Sequence, residues 1–355
     1  MTHKLKKIIV CPDSFKGSLS ATEVSETISE EIKKYDPKLI VKELPLADGG
    51  EGTAEILSKH LFPINKEVRA QDPLGRYINV KYYTDPSGTK VFIESANIIG
   101  LPLLKESERN PLLTSSFGLG EVISKAIVSG GKEVIVSLGG SATVDGGKGM
   151  LEALKQTTDL NKIKFKILCD VENPLIGEKG AVNIFALQKG AKLEDLPILE
   201  KRMIAYVNYC KKHYSCKDSD TMKPGAGAAG GLGFTFQSIF GAETIKGIDY
   251  ILQVLNFEDL IKGADLIITG EGKIDLQSLM GKVITGVLKK ALPYKIPVIA
   301  LCGQVENKEE LIASGIREIF EISDPKLSTY ENMKKETTVK NLQKTILKVF
   351  HNNIF

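Results

Sequence analysis

At 355 residues and 38.7 kDa, the chain exceeds the roughly 250–300 residues at which a single hydrophobic core stops growing, so we expect two domains. Its 42% hydrophobic and 26% charged residues are ordinary for a globular protein. The net charge of +3 is small for this length and gives no reason to expect a nucleic-acid partner.

The first apolar run, residues 8–10, is too short for a signal-peptide core, and the sequence contains no long charge-free apolar stretch of the kind that spans a bilayer. The five cysteines are scattered without a CxxC pair and the four histidines do not cluster, which argues against structural zinc and a disulfide framework. The sequence therefore predicts a cytoplasmic protein with reduced thiols and no membrane partner. It does not indicate an oligomeric state.

Short apolar runs alternate along the chain with Gly-rich turns and segments of helical periodicity. After the first run, Ser20 and Glu23 have capping-box spacing, and the apolar residues 24, 28 and 32 share one helix face. The predicted strands are residues 7–11, 40–44, 78–83, 90–94, 134–138, 164–169, 265–269, 298–302 and 318–322. Further helices are predicted to begin near Thr53 and to occupy residues 283–288, 308–312 and 339–350.

This alternation, with strands that are apolar almost throughout, is typical of an α/β protein with a parallel, doubly wound sheet. The middle of the chain is less regular, and residues 85–88 (Asp-Pro-Ser-Gly) predict a hairpin turn. The simplest account is a discontinuous α/β domain formed by residues 1–62 and 250–355. A second α/β domain, residues 63–249, would be inserted into it.

Carboxylates follow five of the predicted strands, and three of these strand ends are rich in glycine. In open α/β sheets, ligands bind outside the carboxyl ends of the strands. The five segments are residues 12–17, 47–53, 139–147, 170–174 and 270–275. Each segment alone is better explained as a turn that caps a helix. Together they favour phosphoryl transfer, because Gly-rich loops can cradle phosphate and carboxylates can hold Mg²⁺.

Candidate residues for this chemistry follow from their types and positions. Lysines such as Lys16, Lys189 and Lys273 could neutralise charge on a transferring phosphoryl group. The catalytic candidates are Lys16, Asp48, Asp145, Lys189 and Asp275, with Asp48 or Asp145 accepting the proton of the acceptor hydroxyl. The candidate Mg²⁺ ligands are a subset of Asp48, Asp170 and Glu271. The candidate phosphate-binding residues are Gly139, Gly140, Ser141, Gly225, Gly227 and Gly230.

Residues 225–230 satisfy the GxGxxG pattern of dinucleotide-binding proteins. The preceding residues 217–224 are polar and end in proline, whereas the fingerprint requires a buried strand there. A phosphate-binding or tightly packed loop is the better interpretation, and a dehydrogenase is the least favoured function. The sequence also lacks the GxxxxGK[ST] motif, so a P-loop kinase is unsupported.

Two of the five arginines lie in loop-like segments, Arg76 in DPLGR (72–76) and Arg109 in ERNP (108–111). Arginine is the preferred bidentate partner of carboxylates and phosphates, although a salt bridge that pins a loop is an equally good interpretation. Arg76 and Arg109, with Ser14 and Glu51, are the candidate substrate-binding residues.

The ordered set of loops resembles the bacterial glycerate kinase family of the glycerate 2-kinase type. The matching segments are PDSFKGSLSA (12–21), PLADGGEGT (45–53), DPLGR (72–76), ERNPLLTSSFGLGE (108–121), SLGGSATVDGGKGML (137–151), CDVENPLIGEKGA (169–181), QKGA (188–191), PGAGAAGGLGF (224–234) and TGEGKID (269–275). The resemblance implies a flavodoxin-like domain formed by both chain ends, dependence on ATP and Mg²⁺, and phosphorylation of D-glycerate at the 2-hydroxyl.

The sequence departs from the usual family pattern at a few loop positions, including Val144, Lys273 and Leu276. An apolar residue in a ligand loop removes a hydrogen bond. Two alternatives therefore stay open: a kinase of the same fold that acts on another small hydroxy acid, and a non-catalytic relative that binds a nucleotide or another ligand.

Overall fold

The computed structural model describes residues 5–50, 52–155, 157, 160–279 and 281–352. Its strands are β1 (Lys7–Val10), β2 (Ile40–Glu43), β3 (Ile64–Gln71), β4 (Tyr77–Thr84), β5 (Lys90–Glu94), β6 (Glu133–Ser137), β7 (Lys164–Leu168), β8 (Glu243–Ile245), β9 (Leu266–Ile274), β10 (Val298–Val305) and β11 (Glu318–Glu321). Its helices are α1 (Ala21–Tyr35), α2 (Thr53–His60), α3 (Ala96–Ile99), α4 (Phe117–Val128), α5 (Lys148–Leu154), α6 (Ala181–Phe185), α7 (Leu196–His213), α8 (Ala228–Ile239), α9 (Gly247–Val254), α10 (Phe257–Ile261), α11 (Val283–Ala291), α12 (Lys308–Ala313), α13 (Thr329–Asn332) and α14 (Lys335–His351).

The first of two compact units comprises Met1–Asp48 and Ile248–Phe355. Its described strands form a parallel sheet in the order β2-β1-β9-β10-β11. Numbered along this unit alone, the order is 2-1-3-4-5, which is the flavodoxin-like order. The direction of strand addition reverses between β1 and β9, and ligands bind at such a switch point.

Helices α1 and α14 cover one face of this sheet, and the pattern that predicted α1 also explains its packing. Ser20 and Glu23 form a complete capping box at its start. Ile28 and Ile32 are fully buried with the apolar face of α14 in one core cluster. Burial of a large aliphatic side chain contributes about 1.5–3 kcal/mol, so this face supplies much of the stability of the unit.

Strand β9 continues further than the sequence indicated. Residues 270–275 were expected to form a loop, yet β9 runs to Ile274 and pairs with β10 as far as Val305. The glycines allow this extension, because a Cβ on Gly270 would lie 2.3 Å from the Leu301 carbonyl oxygen. Glu271 therefore projects from a paired strand, which holds its position more firmly than a free loop would.

The second unit, Gly49–Gly247, contains a mixed sheet in the order β3-β4-β5-β6-β7-β8. Strands β3, β4 and β5 pair antiparallel, and β5 to β8 pair parallel. The hairpin at residues 85–88 is confirmed, since Tyr83 pairs with Phe92 across it. The sequence missed β3 and β8, because β3 is mostly exposed and polar and β8 is only three residues long.

The α/β fold with parallel sheets is confirmed, whereas the domain limits at 62/63 and 249/250 stay a prediction. The compact units instead divide at 48/49 and 247/248. Helix α2 lies in the second unit, where its Ala54 N–H donates to the buried Glu94 carboxylate at 3.1 Å. Of the helices that the structure describes, none has both the length and the apolar character needed to cross a membrane.

Candidate active site

A cavity of about 500 Å³ lies in the first unit, at the carboxyl end of its sheet. The loop after β1, the extension of β9, the end of β10 and the segment after β11 all contribute to its lining. This is the switch-point position expected for a ligand. Lys16, Lys282, Asp13 and Glu271 line it, so both signs of charge meet in one depression.

Asp13 was not among the residues singled out from the sequence. It follows β1, is only 4% exposed and accepts a hydrogen bond from the Ser14 N–H at 2.6 Å. Burial, followed by repulsion from Asp48, raises the pKa of Asp13 to about 7, while Lys16 acts in the opposite direction. Its place directly after a buried strand was the available signal.

Glu271 is the second buried carboxylate of the cavity, at 6% exposure. Its Oε2 lies 3.8 Å from Lys282 Nζ, and its buried Oε1 has no hydrogen-bond partner among the described residues. Burial raises the pKa of Glu271, and the Asp48 carboxylate adds to the rise, while a hydrogen bond with the Ser278 side chain and the Lys282 ammonium lower it. Within the described residues Oε1 is therefore unsatisfied and available to accept from a ligand or a water molecule.

The remaining candidates of the first unit lie at or near the same cavity. Ser14 and the exposed Lys16 line it directly, and Lys273 does so while paired with Glu306 at 2.9 Å. Asp48 acts electrostatically on both buried carboxylates. Asp275 lies at the end of β9, 3.8 Å from Lys273 Nζ. The first unit thus brings together Ser14, Lys16 and Glu271, with Asp48 close by.

In the second unit, Asp145 holds two loops together. Its carboxylate accepts hydrogen bonds from the Ser116 N–H (2.9 Å) and hydroxyl (2.8 Å), and from the Gly147 (3.0 Å) and Gly149 (3.1 Å) N–H groups. A carboxylate with four donors is a fixed acceptor that keeps the loop in place. These contacts favour a structural role, and proton transfer by Asp145 stays a prediction without further support.

The Lys189 side chain is hydrogen-bonded within the same unit. Its Nζ donates to the Ser141 hydroxyl and to the Thr143 carbonyl, both at 2.9 Å. Burial lowers the pKa of Lys189 to about 7, partly opposed by Asp145. Both Lys189 and Ser141 are buried, so their contacts fasten residues 141–143 from within. Catalytic or phosphate-binding roles for these two side chains stay predictions.

The glycines predicted to bind phosphate fall into two groups. Gly139 and Gly140 are exposed, and the Gly140 carbonyl accepts a hydrogen bond from the Leu101 N–H at 2.9 Å. Gly225, Gly227 and Gly230 are buried, and a Cβ on Gly230 would lie 1.9 Å from the Thr143 carbonyl oxygen. A 3₁₀ turn, not a strand, precedes this segment. The contacts therefore support the tight-packing interpretation of the GxGxxG segment.

The two loop arginines differ in their contacts. Arg76 Nε donates to Asp72 at 2.6 Å and its Nη1 donates to Glu108 at 2.7 Å, so it pins two loops. Arg109 is half-buried, and its buried Nε has no partner within the described residues. An unpartnered guanidinium donor is suited to an anion, which makes Arg109 the better carboxylate-binding candidate.

The predicted metal ligands are not tested by the geometry of either unit. Asp48 and Glu271 belong to the first unit, and Asp170, which accepts from the Gly247 N–H at 2.9 Å, belongs to the second. In the described parts of the chain, no three His, Cys, Asp or Glu side chains converge as a ready metal site. Glu51, predicted to bind substrate, lies outside the described residues.

Val144 departs from the family pattern for a reason that the packing makes clear. Its side chain is 3% exposed and lies in an apolar cluster with Leu151, Leu175 and Met203. A polar residue at this position would be buried among aliphatic side chains, which is costly without a hydrogen-bond partner. Leu276, the other apolar departure, is 41% exposed, and nothing in the structure explains it.

Comparisons with known proteins identify the family. The model of the glycerate kinase family matches residues 8–159 and 155–352. Glycerate 2-kinase of Escherichia coli is 37% identical over 89% of this chain and 90% of its own length, and glycerate kinase of Bacillus subtilis is 36% identical with the same coverage. A crystal structure of a Salmonella typhimurium LT2 protein assigned as glycerate kinase 2 superimposes with a TM-score of 0.79 at 33% identity, covering 98% of this chain and 97% of that one. The chain belongs to the glycerate kinase family.

Proposed function

We propose that this protein is a glycerate kinase that transfers the terminal phosphoryl group of ATP to the 2-hydroxyl of D-glycerate. Family membership over nearly the whole chain supports the reaction. The switch-point cavity of the first unit, where lysines and buried carboxylates meet, is the observation that supports this unit as the location of the active site. Phosphoryl transfer asks the protein for this combination of positioning and charge stabilisation.

Lys16 would stabilise the charge that develops on the transferring phosphoryl group, since it is exposed at the cavity in the loop that follows β1. Asp48, with buried Asp13 beside it, would accept the proton of the acceptor hydroxyl. Arg109 stays the candidate for the glycerate carboxylate, because its Nε lacks a partner within the described residues. Arg76 is less suited, since two carboxylates already occupy it.

The residues of the cavity fit a magnesium ion. Glu271 offers a buried Oε1 that has no donor among the described residues, and Asp48, which does not line the cavity, is close enough to raise the pKa of Glu271. Mg²⁺ binds nucleotides through one or two carboxylates plus water, so a ready cluster of three ligands is not required. Mg²⁺ held by Glu271 would neutralise phosphate charge and orient the nucleotide, and Asp48 as a second ligand is the alternative to its role as proton acceptor. Asp170 as a third ligand stays a prediction.

Phosphorus NMR of the product formed from ATP, Mg²⁺ and D-glycerate tests the reaction and its regiochemistry together. We expect the resonance of 2-phosphoglycerate and stoichiometric ADP. A parallel screen of tartronate and lactate addresses the acceptor. ATP consumption that is faster with another hydroxy acid, or a 3-phosphoglycerate product, would contradict the proposal.

The role of Glu271 is tested by Glu271→Gln, which removes the charge and keeps the shape. We expect the Mg²⁺ concentration needed for half-maximal turnover to rise by about tenfold or more, because a carboxylate ligand is lost. Glu306→Gln is the matched control, since Glu306 is exposed and pairs with Lys273 without lining the cavity. Equal Mg²⁺ requirements in both variants would contradict the assignment.

A further inference from the structure

The switch-point cavity has a second kind of wall, formed by the segment that follows β11. Pro325, Leu327 and Met333 line this part, and Leu327 and Met333 keep 38% and 42% of their surface exposed. This segment has no sequence motif, because it carries neither a glycine-rich loop nor a cluster of charges. Apolar side chains left open to a cavity are a typical feature of a ligand site.

The segment is held in shape before any ligand binds. The Asn332 side chain accepts from the Asp324 N–H at 2.9 Å and donates to the carbonyl oxygens of Asp324 (3.0 Å) and Leu327 (3.2 Å). Ser328 caps α13 in a complete capping box. Since the turn is fixed by its own hydrogen bonds, the exposure of Leu327 and Met333 is a built feature of the cavity.

The apolar wall lies next to the charged loop after β1. A Cβ on Gly17 would lie 2.9 Å from Met333 Cε, so the tip of Met333 reaches the residue that follows Lys16. Asn341 of α14 lines the same cavity and donates to Asn332 at 3.3 Å. The cavity therefore suits an occupant with an apolar part beside Met333 and an anionic part beside Lys16.

A three-carbon hydroxy acid has no apolar face and fills a small part of about 500 Å³, whereas pockets for drug-sized ligands measure roughly 300–1,000 Å³. A nucleoside triphosphate matches both walls: a flat base for apolar side chains and phosphates for lysines. Methionine is well suited to an aromatic ring, because its thioether makes favourable contacts with ring edges.

We propose that Leu327 and Met333, with Asn341 at the base edge, form the subsite for the nucleoside of the phosphoryl donor. This assignment rests on the proposed kinase function for the identity of the donor. It places nucleoside recognition on the segment after β11 and on α14, and it leaves the GxGxxG segment of the second unit without a part in it. Lys16 and Lys282 lie on the lining available to the phosphates.

The test compares ATP with inorganic tripolyphosphate, which has the phosphates and lacks the nucleoside. Isothermal titration calorimetry of the full chain measures the Kd of each probe in the presence of Mg²⁺. In Leu327→Ala/Met333→Ala, we expect the Kd for ATP to rise roughly tenfold, because several buried methylene contacts are lost. The Kd for tripolyphosphate should stay within twofold of the wild-type value.

Tyr330→Ala is the matched control, since Tyr330 lies on α13 between Leu327 and Met333, is 77% exposed and does not line the cavity. We expect wild-type Kd values for both probes. An unchanged Kd for ATP in the double variant, or a parallel loss of both probes, would overturn the nucleoside subsite.

The phosphorus NMR assay on the wild-type protein separates this proposal from the kinase assignment. Selective loss of ATP affinity in a protein that does not phosphorylate glycerate would uphold the subsite and refute the acceptor. Glycerate phosphorylation together with an unchanged KM for ATP in the double variant would uphold the kinase and refute the subsite.

Discussion

The acidic strand-end loops of the two units differ in how many hydrogen bonds the protein itself donates to their carboxylates. In the first unit, Asp13 accepts one described hydrogen bond, and one buried oxygen of Glu271 has no donor among the residues that the structure describes. In the second, Asp145 accepts four. The difference teaches that an Asp in a Gly-rich loop can equally be a ligand site or an internal fastener. The count of satisfied oxygens distinguishes the two.

The largest expected effect is a loss of kcat when a lysine of the switch-point cavity is replaced. Lys16→Met should lower kcat by roughly 10²–10³-fold, because a cation that stabilises developing charge is removed. Lys273→Met is the matched comparison: Lys273 also lines the cavity, but Glu306 and Asp275 already engage it. A coupled assay of ADP formation at saturating substrates measures both. Equal losses of kcat in the two variants would contradict a special role for Lys16 in stabilising the developing charge.

Substitutions in the GxGxxG segment should lower the free energy of unfolding where a glycine is tightly packed. Gly230 and Gly241 have similar backbone angles (φ of +67° and +62°), yet a Cβ would meet the Thr143 carbonyl at 1.9 Å in the first and nothing within 4 Å in the second. Gly230→Ala should lower the free energy of unfolding by about 3 kcal/mol or more. Gly241→Ala should cost only about 1 kcal/mol.

Urea unfolding followed by circular dichroism measures both glycine variants. Because the two positions share the left-handed backbone strain, the difference between them isolates the steric contact. Similar losses of stability in both variants would contradict tight packing at Gly230 and return this segment to the list of phosphate-binding candidates.

Lys189 makes the second unit sensitive to pH. Burial lowers its pKa to about 7, whereas an exposed lysine titrates near 10.4, so between these values the unfolded chain binds more protons. The free energy of unfolding should therefore rise with pH above 7, by about 2 kcal/mol at pH 9 from this residue. Below pH 7 both states are protonated and this slope disappears.

Urea unfolding at pH 7 and pH 9 compares the wild-type protein with Lys189→Met. The difference in unfolding free energy between the two proteins should change by the stated amount across this window, in favour of the wild type at high pH. Parallel pH profiles would show that the Lys189 side chain is charged throughout and would contradict the lowering of its pKa by burial.

The smallest effect concerns the two arginines. Arg109→Ala should raise the KM for glycerate roughly tenfold, since a charge-assisted hydrogen bond to a carboxylate is lost. Arg76→Ala should leave that KM within about twofold, because Asp72 and Glu108 already engage its guanidinium. Steady-state kinetics with glycerate as the varied substrate measure both KM values. A larger rise in KM for Arg76→Ala than for Arg109→Ala would assign carboxylate binding to Arg76 instead.

Much of the molecule could be predicted from the sequence, because the relevant physics is local. The capping box at Ser20 and the apolar positions Val24, Ile28 and Ile32 predict α1 without any distant contact. Continuous apolar runs predict buried parallel strands, and the ordered loop motifs identify the family. The sequence also placed Lys16 and Glu271 at strand ends, where the cavity is found.

Other features depend on partners far away in the chain. Arg76 and Arg109 look alike as loop arginines, but only folding gives Arg76 two carboxylates and leaves Arg109 Nε unpartnered among the described residues. The apolar wall at Leu327 and Met333 has no motif, since its meaning comes from its position beside the loop after β1. Asp13 reads as one more turn residue until its burial is known.

The sequence alone determined the fold class, the family and the acidic, Gly-rich character of the strand ends, because periodicity, capping and motif order are properties of neighbouring residues. The tertiary structure alone decided which acidic loop keeps a carboxylate available to a ligand and which has its carboxylate fully hydrogen-bonded by the protein. That choice depends on hydrogen-bond donors and cations brought together from distant segments, such as Ser116 to Asp145 and Lys282 to Glu271. Desolvation, which sets the energetic state of buried carboxylates and lysines, exists only once the chain has folded.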